Sequence, residues 1–184
     1  IKHATFSVKR AKNIIIRNLK FDELWEWDES GNYDNKDWDY FTVESTSGIW
    51  FDHIELGKAY DGLIDFKYGT PAVDGATFTN LHFNFQPNEF IKAQLLHFEN
   101  NGGSSKYQKL RAAGMSIDEI TKLVSSQKKG FLLGGSAFKS NITELTIANS
   151  TIINLQDRFP RLRGDVDGLG GDVHLFNNYY DASD

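Results

Sequence analysis

The chain has no cysteine in its 184 residues. That excludes disulfide staples, thiol catalysis and the common zinc sites, and it leaves the compartment open. Only three prolines occur and no tract is of low complexity, so no linker is visible. The length predicts a single domain, 1–184, with enough chain to bury a real core. No run of about 18 apolar residues exists, so no membrane-spanning helix is expected. The opening IKHATFSVKRAKN has no apolar h-region and is not a signal peptide. It also lacks an initiator methionine and starts on a strand-like stretch, which predicts a mature chain or a fragment. Positive charge is in deficit: 20 Lys and Arg stand against 25 Asp and Glu, a formal net charge of -5. The basic field that nucleic-acid binding wants is missing. An acidic ligand remains compatible if positive charge is local or a metal bridges the two.

One stretch runs against that deficit. DRFPRLR, residues 157–163, sets Arg158, Arg161 and Arg163 around Pro160. The planar guanidinium fork suits carboxylates and phosphates, so this loop is a candidate anion site. The plain alternative is a solvated surface turn stiffened by proline.

A nine-residue pattern recurs: NIIIRNLKF from Asn13, GIWFDHIEL from Gly48, GATFTNLHF from Gly75, ELTIANSTI from Glu144 and DVHLFNNYY from Asp172. The fourth and ninth positions are large and apolar or aromatic. The sixth reads Asn18, His53, Asn80, Asn149, Asn177. Alternation within a strand explains the apolar positions but not asparagine at one register, because asparagine is a poor strand former. Stacked turns with a side-chain amide ladder do explain it. The pattern therefore predicts a parallel β-helix, an all-β solenoid whose coils bury apolar side chains inward; a sandwich of short strands is the alternative. The starts lie 35, 27, 69 and 28 residues apart. The long interval holds PNEFIKAQLLHFENNGG, with a glycine stop, and SIDEITKLVSS, which opens on a capping box from Ser116 to Glu119. Residues 86–128 are expected to be a helical insertion in one coil. The 35-residue interval carries its own loop, DESGNYDNKDWD.

Taken in order, NIIIRNLKF, IWFDH, DGLIDFKYG, KGFLLGGS, RFPRLR and VHLFNNYY resemble the family 1 polysaccharide lyases, the pectate lyases. The resemblance covers most of the chain outside the insertion. It implies a right-handed parallel β-helix, secreted, that cleaves de-esterified polygalacturonate by β-elimination with help from Ca²⁺. Asp37 and Asp39, two apart in DWDYF, share a strand face. Asp61 and Asp65 in DGLID lie roughly 13 Å apart on a straight strand, so Gly62 or the approach to that strand must bend. Four carboxylates on neighbouring coils would make a hard oxygen site suited to Ca²⁺, and a solvated acidic edge is the alternative. By resemblance all four match the family's calcium acids. Arg158 matches the arginine that serves as base, and Arg163 the one that holds substrate. Lys129 matches the substrate-binding lysine, with Lys128 as the other choice of register. Arg161 is given at most a rim contact.

The reaction takes a proton from C5 of a uronate and expels the C4 oxygen. Calcium on the carboxylate and fixed cations around it stabilise the developing charge. A neutral arginine is scarce at neutral pH, which predicts a high-pH optimum. Asp52 and His53 in IWFDH look catalytic but are read as structural, with Asp52 supporting a neighbouring turn. His3, His82, His97 and His174 show no metal-ligand spacing. Trp50 is expected in the core; Trp25, Trp27 and Trp38 are weak candidates for sugar contact. Other readings are a pectin lyase, which would do without calcium acids, a hydrolase of the polygalacturonase type, and a β-helical carbohydrate-binding or adhesion module. The chain is short for the family. Missing coils would leave open β edges, so a monomer is expected unless such ends associate.

Overall fold

In the computed structural model the described residues are 1–26, 36–67, 74–103, 105–134, 144–162 and 172–182. Two parallel sheets face each other, and the chain passes from one to the other and back. The smaller sheet takes β1 (Phe6–Lys9), β3 (Phe41–Glu44), β5 (Ile64–Lys67), β8 (Phe131–Leu133) and β11 (Arg161–Leu162), in that spatial order. The larger takes β2 (Lys12–Phe21), β4 (Ser47–Leu56), β6 (Asp74–Thr79), β7 (His82–Asn84), β9 (Glu144–Ala148), β10 (Thr151–Ile153), β12 (Asp172–Phe176) and β13 (Tyr179–Asp181). We call one passage through both sheets a coil. Every pairing between described strands is parallel.

The register is the one the repeat predicts. At its fourth position Ile16 pairs with Phe51, Phe51 with Phe78, Phe78 with Ile147, and Ile147 with Leu175. At its ninth, Phe21 pairs with Leu56, and Ile152 with both Phe83 and Tyr180. Like residues therefore stack. The Phe51 and Phe78 rings lie 4.9 Å apart at 13°, and between the two sheets Phe83 stacks on Phe131 at 5.8 Å. Each of these rings is fully buried, a contribution of about 1.5–3 kcal/mol apiece.

The sixth position has a different cause from the one expected. Asn18, His53, Asn80, Asn149 and Asn177 all have φ between 50° and 57°. That is the left-handed region, which asparagine enters at less cost than most residues, because its short side chain can bond locally. The amide ladder is the lesser effect: Asn177 Nδ2 donates to Asn149 Oδ1 at 2.6 Å, while Asn80 Nδ2 donates to Asp52 instead. Backbone bending chose the residue, and side-chain stacking follows where it can. Trp50 corrects another expectation. It stands half-buried on the alternate face of β4, its Nε1 donating to Thr79 Oγ1 at 2.7 Å, rather than in the core.

Between β7 and β8 lie three helices, α1 (Glu89–Asn101), α2 (Ser105–Ala112) and α3 (Ile117–Ser125). Asn88 caps α1, Gly102 ends it in the left-handed conformation (φ 70°), and the capping box of Ser116 and Glu119 opens α3. Ile91, Leu95, Tyr107, Ile120 and Val124 form a second core with Trp25. Trp25 is thus 2 % exposed and packs the helices rather than offering a sugar platform. Gln94 Nε2 donates to its carbonyl at 3.1 Å. The helices are in this way fastened to the first coils.

Candidate active site

Asp39 ends the approach to β3, and Asp65 sits on β5 opposite Thr42. One carboxylate oxygen from each of Asp37, Asp39 and Asp65 lies within 4.8 Å of the others. Asp39 and Asp65 are buried, whereas the Asp37 side chain is exposed. Gly62 N–H donates to Asp39 Oδ1 at 2.8 Å, but Asp39 Oδ2 and Asp65 Oδ1 have no hydrogen-bond partner. Burial pushes both carboxyls up, and after burial Asp61 presses on Asp39 and Asp39 on Asp65. Lys67, two residues beyond Asp65 on the same face, reaches in: its Nζ is 2.9 Å from Asp37 Oδ2 and 3.8 Å from Asp39 Oδ2. Gly62 makes room for the group. A Cβ there would stand 2.8 Å from Asp39 Oδ1 and 3.2 Å from Asp65 Oδ1. Hard oxygens gathered this closely, two of them without a hydrogen-bond partner and balanced by the Lys67 ammonium, fit a calcium-type cation.

The expected bend is present: Asp61 precedes β5 and its N–H reaches the Trp38 carbonyl at 3.3 Å. Asp61 stands beside the trio rather than in it, ion-paired with Lys129. Gln127 fixes this pair from behind. Its Nε2 donates to the carbonyls of Asp61 at 2.7 Å and Lys129 at 3.0 Å, and its Oε1 accepts from Ala59 N–H at 3.0 Å.

Arg158 lies in the loop before β11, at φ 66°, with its N–H donating to Asp157 Oδ1 at 2.7 Å. Its carbonyl accepts from Phe131 N–H at 2.7 Å, which ties the loop to β8. Gly130 permits that approach, because a Cβ there would stand 2.4 Å from the Arg158 carbonyl oxygen. Phe159, joined to Pro160 by a cis bond, stacks on Tyr180 at 5.6 Å and 7°. The Arg158 Nε is buried without a hydrogen-bond partner, and the guanidinium charge is felt at Asp65. Because β8 pairs with β5, with Leu132 opposite Asp65, the loop of the base candidate and the acidic trio lie on neighbouring coils. Arg161 is exposed on β11, and Arg163 and Trp27 fall outside the described residues. Trp38 is half-buried, with its ring 5.8 Å from Tyr60 and Lys36 Nζ 4.1 Å above it.

Asp52 has the supporting task expected of it. It accepts from Thr79 Oγ1 at 2.8 Å and Asn80 Nδ2 at 2.9 Å on the next coil, and His53 Nδ1 is 2.9 Å away. Burial opposes its charge, but Asn80, His53 and Thr79 outweigh that and hold the carboxyl down at about 2. Sequence reasoning missed Lys67, Gln127 and Gly130, and gave Gly62 a bend but not its place beside Asp39 and Asp65. Lys67 was within reach, since DFK puts it on the face of Asp65; nothing local marks the others.

The chain matches no family model. It is 42% identical to pectate lyase B of Paenibacillus amylolyticus over 191 aligned residues, covering all of this chain and 47% of that protein. Its fold superposes on the solved pectate lyase pelN of Paenibacillus sp. 0602 with a TM-score of 0.87 and 43% identity, over 99% of this chain and 41% of that one. The chain belongs to the pectate lyase family. A pectate trisaccharide-lyase of Thermotoga maritima is 25% identical across 94% of the chain and 35% of its own length. The chain thus spans less than half the length of these pectate lyases. The helices of this family member show no segment long and apolar enough to cross a membrane among the described residues.

Proposed function

We propose that this chain carries the cleft of an extracellular, calcium-assisted pectate lyase, built on a right-handed parallel β-helix and acting on polygalacturonate. One observation carries the reading: the loop of Arg158, whose Nε is buried without a hydrogen-bond partner, is tied to β8, the strand that runs beside Asp65 and its buried acidic neighbour Asp39. Asp37, Asp39 and Asp65 would hold the calcium ion, with Asp61 next to them. When bound, the ion supplies positive charge that neutralises the acids and polarises a uronate carboxylate. Arg158, in its neutral guanidine form, accepts the C5 proton and becomes the guanidinium. The C–H electron pair becomes the C4–C5 double bond, the C4–O bond breaks, and the departing oxygen takes a proton from water. Lys129 and Arg163 orient the substrate by its carboxylates, Lys129 after exchanging Asp61 for the ligand.

Incubation with polygalacturonate, with and without a chelator, tests this. Ultraviolet-absorbing unsaturated product that disappears with the chelator is the expected result. Reducing ends without that absorbance would mean hydrolysis, and binding without either would mean a non-catalytic module.

A further inference from the structure

Lys58 is a buried cation for which the proposed reaction has no use. It is 6 % exposed. Its Nζ donates to the Ser126 carbonyl at 2.6 Å and is paired with no carboxylate among the described residues. The Trp25 ring lies 5.8 Å away. An ammonium has three donors, and burying one without a counter-charge costs free energy. Burial, and then Lys128, bring Lys58 down to about 7. Such a group is half-poised to accept an anion, which would restore its full charge.

The space beside it has the matching chemistry. Lys58, Lys106 and Lys128 line a cavity of about 190 Å³ together with Ser126, Gln156 and Leu123. Among the described residues that line it there is no carboxylate. Lys58 also borders a second cavity, of about 200 Å³, where Asp22 and Glu55 balance Lys20, itself ion-paired with Glu55. The lysine-lined cavity sits at the seam between the helices and the candidate active site. Lys128 precedes Lys129, Gln156 leads through Asp157 to Arg158, and Gln156 Nε2 ties to Ser126 Oγ at 2.7 Å. It offers room for a single sugar ring, cations for one carboxylate and a leucine for a C–H face.

We infer that this cavity is an accessory uronate subsite, in which Lys58, Lys106 and Lys128 receive the carboxylate of a polymer residue away from the bond being cleaved. The inference rests on the polygalacturonate reading above, and it gives the helices a task in chain-length selection.

The test is calorimetric titration of the chain with trigalacturonate and with its methyl ester, in chelator so that turnover is held down. Lys58→Met and, separately, Lys106→Gln are compared with the unaltered chain, with a thermal melt confirming that each is folded. Loss of a charged hydrogen bond predicts about ten- to a hundredfold weaker trigalacturonate binding and no change for the ester. At saturating calcium, the KM advantage of long over short oligogalacturonates should shrink in the same variants. Unchanged trigalacturonate affinity in both folded variants overturns the subsite. So does inorganic phosphate binding as tightly as the sugar in a Lys58-dependent way, which would make it a general anion hole. If no unsaturated product forms from any substrate yet Lys58-dependent trigalacturonate binding persists, the lyase reading fails and the uronate site stands.

Discussion

Asp65→Asn should reverse its effect on stability according to whether calcium is present. Asp65 Oδ1 is buried with no hydrogen-bond partner, and its oxygens share a small volume with those of Asp39 and Asp37. A buried polar atom left so costs on the order of 1–3 kcal/mol. An amide removes one negative charge and adds a donor that can turn toward Asp39. In chelator the variant should therefore be the more stable protein, by about 1–3 kcal/mol. For a domain of this size that is a rise of roughly 2–4 °C in Tm per kcal/mol. Calcium at about 100 times its Kd stabilises a folded chain by about 2.7 kcal/mol. The unaltered protein should show that gain, and the variant, short of a ligand, should show much less. The two melting curves then exchange order between chelator and calcium. Differential scanning calorimetry in both conditions is the assay. A variant less stable than the parent in chelator would refute the idea that these carboxylates strain one another. An equal calcium-induced shift in both proteins would remove Asp65 from the cation site.

In chelator, stability should fall as pH rises from about 4 towards 7, because Asp39 and Asp65 have raised folded pKa values and lose protons more readily in the unfolded chain. Asp52 acts with the opposite sign: its lowered value contributes stability present above about pH 4 and lost as pH falls towards 2, so Asp52→Asn should flatten the acid limb of a Tm-against-pH curve. Arg158→Lys should keep most substrate affinity while turnover falls by on the order of a hundredfold or more, because a displaced proton acceptor is costly; Arg161→Ala, on an exposed residue, should change neither, and wild-type turnover in Arg158→Lys would remove it as base. Gly130→Ala would set a Cβ 2.7 Å from Leu155 Cδ2 as well as against the Arg158 carbonyl, so steady-state kinetics should show reduced kcat from a shifted loop, and an unaltered kcat would show that the loop is free to give way.

The coil register was legible in the sequence because the repeat carries it twice, in the large apolar fourth and ninth positions and in the left-handed sixth. Asparagine at Asn18, Asn80, Asn149 and Asn177 pointed to stacked turns although the first reason given for it, a ladder, was the smaller one. The caps of α1 and α3 were readable from Gly102 and Ser116 with Glu119. α2 was not singled out, since its few apolar residues give no stripe and its order comes from Tyr107 packing into the second core. At the site, Asp37, Asp39 and Asp65 could be grouped from alternation and resemblance. That Asp61 is held by Lys129 could not, because the pair is made across coils and is braced by Gln127 from the end of the helical segment. Gly62 could be read as a bend but not as the space beside Asp39, and Gly130 was unreadable, for a similar reason: what they make room for comes from other parts of the chain.

Ile64 pairs with Phe131 although three helices intervene between their coils. Registration is thus enforced by the rung beneath, not by the length of chain between rungs. Doubling the length of such an excursion costs only about 0.6 kcal/mol in closure entropy, less than the burial of one aromatic ring. The corner between β7 and β8 is accordingly a place where one excursion can be exchanged for another while the rungs on either side stay in step. Substrate preference and chemistry can then vary on separate segments of one chain, a division of labour that also makes this corner the natural site for grafting new recognition elements.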